Sequence, residues 1–494
     1  MAYEATRESL NARPIPGWYE DGKFGIFIHW GLFAVPAYAS GMAKISDTLA
    51  QNYWNSIPQT PYTEWYANAI KVKGTPSAEN HRVFWQDMPY ENFRDYFNEG
   101  LAQWDPDAWA KLFEESGARY VVFVTKHHDG YCLWPSDVAN PSQTGWTSQR
   151  DIVGELAAAV RARGLKFGVY YSGGIDWTFY TRPLRTLGDF IGAVPDGDYP
   201  AYADAQMREL IARYKPSVLW NDISWPDDRK SQFALFAHYY NAIPDGVVND
   251  RWQPAGKFTA RLRRSAMARF LFDLVAWASI KIKGAPDGVM PMEQPHSDFR
   301  TPEYTSFKTI AKKKWESTRG MSHSFGFNRM DTDKSYDSAE KLIHDFVDAV
   351  SKNGNVLLNV GPRGLDAQIP PEQVSRLRAI GAWMAQNGDG LYGTRCWDCA
   401  EGSATCANGE KIALRFTAKP HEIFVFFLDT PKPGTPYKLA TDATAGFPQL
   451  SRITHLQSGA VINFTQSPDG LSLSITDPLP PSPAHGFRLE QAGG

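Results

Sequence analysis

Short apolar runs rich in β-branched and aromatic residues punctuate the chain as far as residue 395. Residues 23–31, 119–125, 166–172, 218–221, 246–252 and 355–360 are such runs, and they read as buried strands. The segments between them carry apolar residues at helical spacing. Residues 105–116 put Trp109, Leu112 and Phe113 on one face, and residues 151–163 align Ile152, Leu156 and Val160. Residues 202–214, 230–242, 338–351 and 371–386 repeat the pattern, with Leu342, Phe346 and Val350 as the inward stripe of the third. Gly117 and Gly164 suit helix ends, and Pro216 separates a helix from the strand after it. Strand and helix alternating this often predict βαβ units closing into a (β/α)8-like barrel.

After residue 395 the texture changes. Residues 411–416, 422–427, 461–464 and 471–475 are strand-like and separated by Pro/Gly-rich turns, the pattern of a small antiparallel β-sandwich. The expected organisation is a catalytic barrel over 1–395 and a C-terminal β-sandwich over 396–494. Two stretches interrupt the barrel pattern. Residues 34–62 read as a long loop, the kind that serves a site. Residues 253–295 form a helical excursion, with a stripe through Phe270, Leu274 and Ala278 and basic residues on a solvated face.

The chain has 494 residues, too many for one ordinary domain, and a formal net charge of -3, which argues against a basic nucleic-acid footprint. No secretory signal pattern opens the sequence and no apolar run is long enough for a membrane span, so a cytoplasmic, non-membrane protein is expected. The 4 cysteines fit a reducing compartment. Cys396, Cys399 and Cys406 lie close together, but no second ligand pair follows, and free thiols are expected.

Candidate chemistry gathers at strand ends. Asp222 closes the run 217–222, where barrels carry catalytic groups; as a turn or cap residue it would be merely structural. His29 ends the first run, and His127, His128 and Asp129 follow the second. The histidines suit hydroxyl binding better than a metal, since Asp129 is too near in sequence to complete a ligand set. Further acids are Glu64, beside Trp65, and Asp298, Glu303 and Glu316.

Residues 24–31, 126–134, 168–176, 219–222, 249–252, 299–304, 315–329 and 350–362, in this order and spacing, resemble the α-L-fucosidases of glycoside hydrolase family 29. The resemblance covers roughly residues 15–395. It implies a retaining, exo-acting glycosidase that acts on terminal α-L-fucosides of an oligosaccharide or glycoconjugate through a covalent glycosyl-enzyme, with no metal and no cofactor. It implies Asp222 as nucleophile, and His29, Glu64, Trp65, His127, His128, Tyr170, Trp220, Arg251 and Phe325 as substrate-binding residues. Phe325 would meet the C5-methyl side of the sugar. Glu303 matches the acid/base position of the bacterial branch. Glu316 is the runner-up, disfavoured because Lys312, Lys313 and Lys314 should depress its pKa. Asp298 is short, and Glu64 is expected to accept a sugar hydroxyl. The length of 253–295 departs from the expected pattern and bears on the placement of Glu303. A retaining glycosidase for a related sugar such as a galactoside, a metal-dependent hydrolase built on the histidines, and a sugar-binding protein lacking catalysis are the alternatives. A homo-oligomer stays open.

Overall fold

The computed structural model describes residues 2–40, 44–286, 288–443, 446–467 and 470–493. Seven parallel strands form the first sheet: β1 (Phe24–Ile28), β2 (Tyr120–Lys126), β3 (Lys166–Ser172), β4 (Val218–Asp222), β5 (Val247–Val248), β6 (Trp315–Gly320) and β7 (Gly354–Val360). Their order is β5-β4-β3-β2-β1-β7-β6, so β5 and β6 lie at the two edges. Residues 298–303 close the gap between them. The Asp298 amide donates to the Val248 carbonyl at 2.9 Å, and the Glu316 amide to the Arg300 carbonyl at 2.7 Å. Residues 300 and 303 bridge in parallel to 315 and 318. This extended segment takes the eighth position of a (β/α)8-like barrel.

Side chains alternate along each strand, so every second residue enters the barrel. Phe27, Tyr120, Val122, Val124, Tyr170, Val218, Trp220 and Leu357 fill it with Tyr19 and Phe299. The larger core lies outside, between strands and helices, where Val121, Phe123, Val169 and Leu219 meet Leu156, Leu210, Phe346 and Leu377. The helices Pro106–Glu115, Ile152–Ala162, Tyr199–Tyr214, Arg229–Ala242, Ala339–Ser351 and Pro371–Asn387 lie close to their sequence-predicted bounds. Between residues 303 and 315 the chain makes no helix, so one helical position on the barrel wall is open.

The excursion forms two helices, Lys257–Arg264 and Ala266–Lys283. The sequence stripe points outward: Phe270 is 51% exposed, and the one buried residue of the second helix is Asp273. Its carboxylate accepts from the Tyr53 and Thr186 hydroxyls and the Gly188 amide at 2.7–2.8 Å. A polar anchor holds this helix to the body, together with the stacking of Phe270 on Trp54, whose ring centres lie 5.9 Å apart. Nor are all its basic residues solvated, since Arg263 pairs with Asp196 and Arg269 with Asp189.

Eight antiparallel strands make the C-terminal β-sandwich: β8 (Glu401–Cys406), β9 (Lys411–Lys419), β10 (Glu422–Phe427), β11 (Thr435–Thr441), β12 (Leu450–His455), β13 (Asn463–Ser467), β14 (Gly470–Ile475) and β15 (His485–Gln491). They run in the order β12-β15-β10-β9-β8-β11-β14-β13 around one core of Leu414, Phe416, Val425, Tyr437, Leu473 and Phe487. The Trp383 indole donates to the Ala484 carbonyl and Arg415 pairs with Asp348, tying this domain to the last two barrel helices. All four cysteines are free.

Candidate active site

Asp222 is the last residue of β4 and points inward with Val218 and Trp220, four and two residues before it. Three donors hold its carboxylate. Tyr170 Oη, from the neighbouring strand, reaches Oδ2 at 2.8 Å, and Arg251 Nη1 reaches Oδ1 at 3.0 Å. The third is the amide of Ile223, at 2.8 Å from Oδ1. Ile223 itself adopts φ +70°, a left-handed conformation costly for a β-branched residue. Burial raises the pKa of Asp222, but Arg251, His128, Tyr170 and the Ile223 amide outweigh it, and the carboxyl lies below its usual range.

Arg251 holds two carboxylates. Its Nη2 lies 2.8 Å from Glu303 Oε2, while its Nε donates to the Thr301 hydroxyl and its guanidinium sits over the Trp220 ring at 4.8 Å. Burial opposes its charge, yet Glu303 and Asp222 raise its pKa above the usual value. Glu303 accepts a second hydrogen bond from Tyr62 Oη, at 3.1 Å. Its backbone is fixed on both sides of the peptide by Val289, amide to carbonyl at 3.0 and 2.9 Å. The end of the excursion thus sets the position of Glu303.

A third acid lies near these two carboxylates. Glu64, buried in the short helical turn Thr63–Trp65, accepts from the Gly326 amide at 3.0 Å. Burial drives its carboxyl up to about 7; two backbone donors oppose the rise, and Glu303 and Asp222 add to it.

The histidines form the opposite wall. His29 Nδ1 lies 2.6 Å from Asn359 Oδ1 at the end of β7, and His128 Nδ1 lies 2.6 Å from Ser172 Oγ at the end of β3. His127 stacks on Tyr170 with ring centres 5.5 Å apart and an 8° interplanar angle. Burial lowers the pKa of His29 to about 4 and that of His128 to about 3, so both rings are neutral hydrogen-bonding groups. Trp65 meets His128 edge-on at 4.9 Å, and Phe325 lies 4.9 Å from the His29 ring and 5.4 Å from Tyr304. Among the described residues, no three His, Cys, Asp or Glu side chains converge as a metal set. Nor, among them, is any helix long and apolar enough to cross a membrane.

Trp220 and Glu316 lie deeper than sequence reasoning anticipated. Trp220 is 1% exposed and stacks beneath Tyr170 at 5.5 Å. Its indole Nε1 donates to Glu316 Oε1 at 3.2 Å, and the other carboxylate oxygen accepts from Tyr120 at 2.6 Å and Tyr19 at 2.9 Å. Glu316 is fully buried. The expected depression by nearby lysines does not occur. Burial dominates, with Lys314 only a minor influence, and the carboxyl rises to about 7. Asp298 is likewise occupied in the wall, pairing with Arg13 at 3.0 Å and accepting from Tyr240 and the Val248 amide.

The structure therefore gathers Asp222, Glu303, Arg251, Tyr170, Glu64, Trp65, His29, His127, His128 and Phe325 around one opening. It sets Trp220 beneath them and Glu316 apart. Sequence reasoning missed Tyr62, Asn359 and Ser172. The last two end strands, where a polar residue after an apolar run was a usable signal; Tyr62 sits in a loop and gave none.

A family model described as alpha-L-fucosidase matches residues 1–270 and 277–389. The excursion, expected to depart from the family, is thus matched except for 271–276. The tissue alpha-L-fucosidase of Mus musculus is 28% identical over 96% of this chain and 90% of its own length. The alpha-L-fucosidase of Dictyostelium discoideum is 30% identical over 80% of this chain and 75% of its own. Among solved structures, the Thermotoga maritima alpha-fucosidase in complex with a mechanism-based inhibitor is 36% identical, with a TM-score of 0.79, covering 99% of this chain and 100% of that one. With the family model matching most of the chain and a relative 30% identical over four-fifths of it, the chain belongs to the α-L-fucosidase family of glycoside hydrolases.

Proposed function

We propose that the protein is a retaining α-L-fucosidase in which Asp222 is the nucleophile and Glu303 the acid/base. The single observation that carries this reading is the bridge made by Arg251 between the two carboxylates. One side chain spanning both keeps them close, as the separation of about 5–5.5 Å in retaining enzymes requires. Asp222, held ionised by its donors, attacks the anomeric carbon. The glycosidic C–O bond breaks as Glu303 gives its proton to the leaving oxygen. Water then attacks the glycosyl-enzyme, Glu303 takes a proton from it, and the Asp222 ester is released as carboxylate.

The charge arrangement supports the scheme. Two carboxylates share the Arg251 guanidinium, and beside them burial, with Glu303 and Asp222 nearby, holds the Glu64 carboxyl up at about 7. The neutral imidazoles of His29 and His128, with Glu64, suit sugar hydroxyls, while Phe325 suits the methyl group of a 6-deoxy sugar. The test is turnover of a nitrophenyl α-L-fucoside, with none of the matching galactose analogue and no loss on chelation with EDTA. Preference for the galactoside would point to the related-sugar reading, and EDTA inhibition reversed by zinc to the metal-dependent one.

A further inference from the structure

A cavity of about 580 Å3 opens beside the site and runs down the outer face of β6. Its volume is within the range of about 300–1,000 Å3 typical of small-ligand sites. It exists because the chain between residues 303 and 315 forms no helix. Ser317 and Arg319, which alternate with the inward Glu316 and Thr318, therefore face open space between that linker and the helix Ala339–Ser351. At its upper end the cavity is lined by Tyr62 and Tyr304. Tyr62 donates to Glu303, and Tyr304 is the next residue along the chain. The cavity thus adjoins the acid, on whose side the departing oxygen must lie.

Its lining fits a neutral, hydroxyl-rich ligand. Ser306, Ser317, Ser322 and Ser335 offer hydroxyls, and Tyr62 and Tyr336 offer ring faces. On the strand and helix side the charges are paired, Arg319 with Asp337 and Asp345 and Lys341 with Asp345, while Lys44 and Lys334 at the rim can donate to hydroxyls. We infer that this cavity receives the leaving-group saccharide, beyond the fucosyl unit, during hydrolysis. The inference rests on the fucosidase reading with Glu303 as acid.

Two variants test it, Ser306→Trp on an exposed loop and Ser317→Trp on the strand. Each would fill the cavity without touching a residue assigned to the chemistry. On a nitrophenyl α-L-fucoside, kcat/KM should stay within about twofold of wild type. On fucosyllactose it should fall at least about tenfold, because contacts to the remote saccharide no longer contribute to the transition state. Unchanged fucosyllactose turnover, or equal loss on both substrates, overturns the inference. Should Ser317→Trp fail to fold, Ser306→Trp decides by itself. Failure of the wild type to hydrolyse either fucoside defeats the fucosidase reading and this inference with it. Wild-type turnover of both, with variants indifferent to the saccharide, defeats the cavity alone.

Discussion

The barrel interior holds carboxyls at two depths, and the same degree of burial leads to opposite outcomes. Asp222, at the strand ends, has a guanidinium, a phenol and an amide as donors and lies below the usual carboxylate range. Glu316, at the barrel floor, has only neutral donors, two phenols and an indole, and rises to about 7. Desolvation penalises both anions; a nearby cation decides which one stays charged. Chemistry needs the upper arrangement, a permanent nucleophile. The lower one stabilises the ring stack of Trp220 and Tyr170 on which the upper layer rests. A buried acid with a raised pKa is commonly taken as a proton donor. Here the group near 7 at the floor is enclosed by Tyr19, Tyr120 and Trp220, whereas Glu303, salt-bridged to Arg251, lies beside Asp222.

The comparison breaks most directly at Asp222. Asp222→Ala removes the proposed nucleophile and should lower kcat by about three or more orders of magnitude, with azide restoring turnover and giving a β-fucosyl azide. Near-wild-type turnover would reverse the roles of the two layers. Glu303→Ala comes next. With a dinitrophenolate leaving group, which needs no proton, it should retain most of its kcat/KM while kcat falls for want of the base in the second step; with a saccharide leaving group kcat/KM should fall about 10²–10⁴-fold. It should also lose the alkaline limb of the kcat/KM profile. Equal losses on the two substrates, with leaving-group dependence in Glu316→Ala instead, would make Glu316 the donor.

The smallest effect is expected at the floor itself. Glu316→Gln keeps the shape and should keep kcat within about tenfold, since the side chain does not reach the opening. Its signature is thermodynamic. A carboxyl whose folded pKa is raised from 4.5 to about 7 favours the fold fully below 4.5 and loses that contribution as pH rises through 7. The buried histidines, lowered in pKa, act in the opposite direction over part of this window, so the informative quantity is a difference. The Tm of wild type minus that of Glu316→Gln should fall from pH 4.5 to pH 7.5. A flat difference would mean that Glu316 is not protonated in the folded state.

What the sequence disclosed follows the same division. The strands that bury both faces, β1 to β4 and β7, were legible as apolar runs, and so was Asp222 at the end of one. β6 was not. Its residues Trp315–Gly320 include Glu316 for the floor and Arg319 for the open cavity, and such a strand lacks the apolar continuity of its neighbours. Residues 298–303 escaped notice for the same reason, with Asp298, Arg300 and Glu303 all engaged in polar contacts. In the excursion the helical period was correct, but the basic face was not all solvated, and Asp273, which is buried, anchors the helix while the stripe touches the body only where Phe270 stacks on Trp54. Period alone cannot say which stripe is turned inward. In the sandwich, β8, β11, β12 and β15 were missed, since several of them alternate polar and apolar residues over short lengths.

The left-handed backbone at Ile223 has a consequence for anyone improving this enzyme by selection. A glycine there would adopt the same φ without the penalty of about 1–3 kcal/mol, and a heat-challenge screen would reward it. Glycine also adds backbone freedom next to the peptide whose amide now donates to Asp222 Oδ1. Hardier clones from such a screen would then hold Asp222, the proposed nucleophile, less firmly, so robustness and turnover have to be scored together at this position.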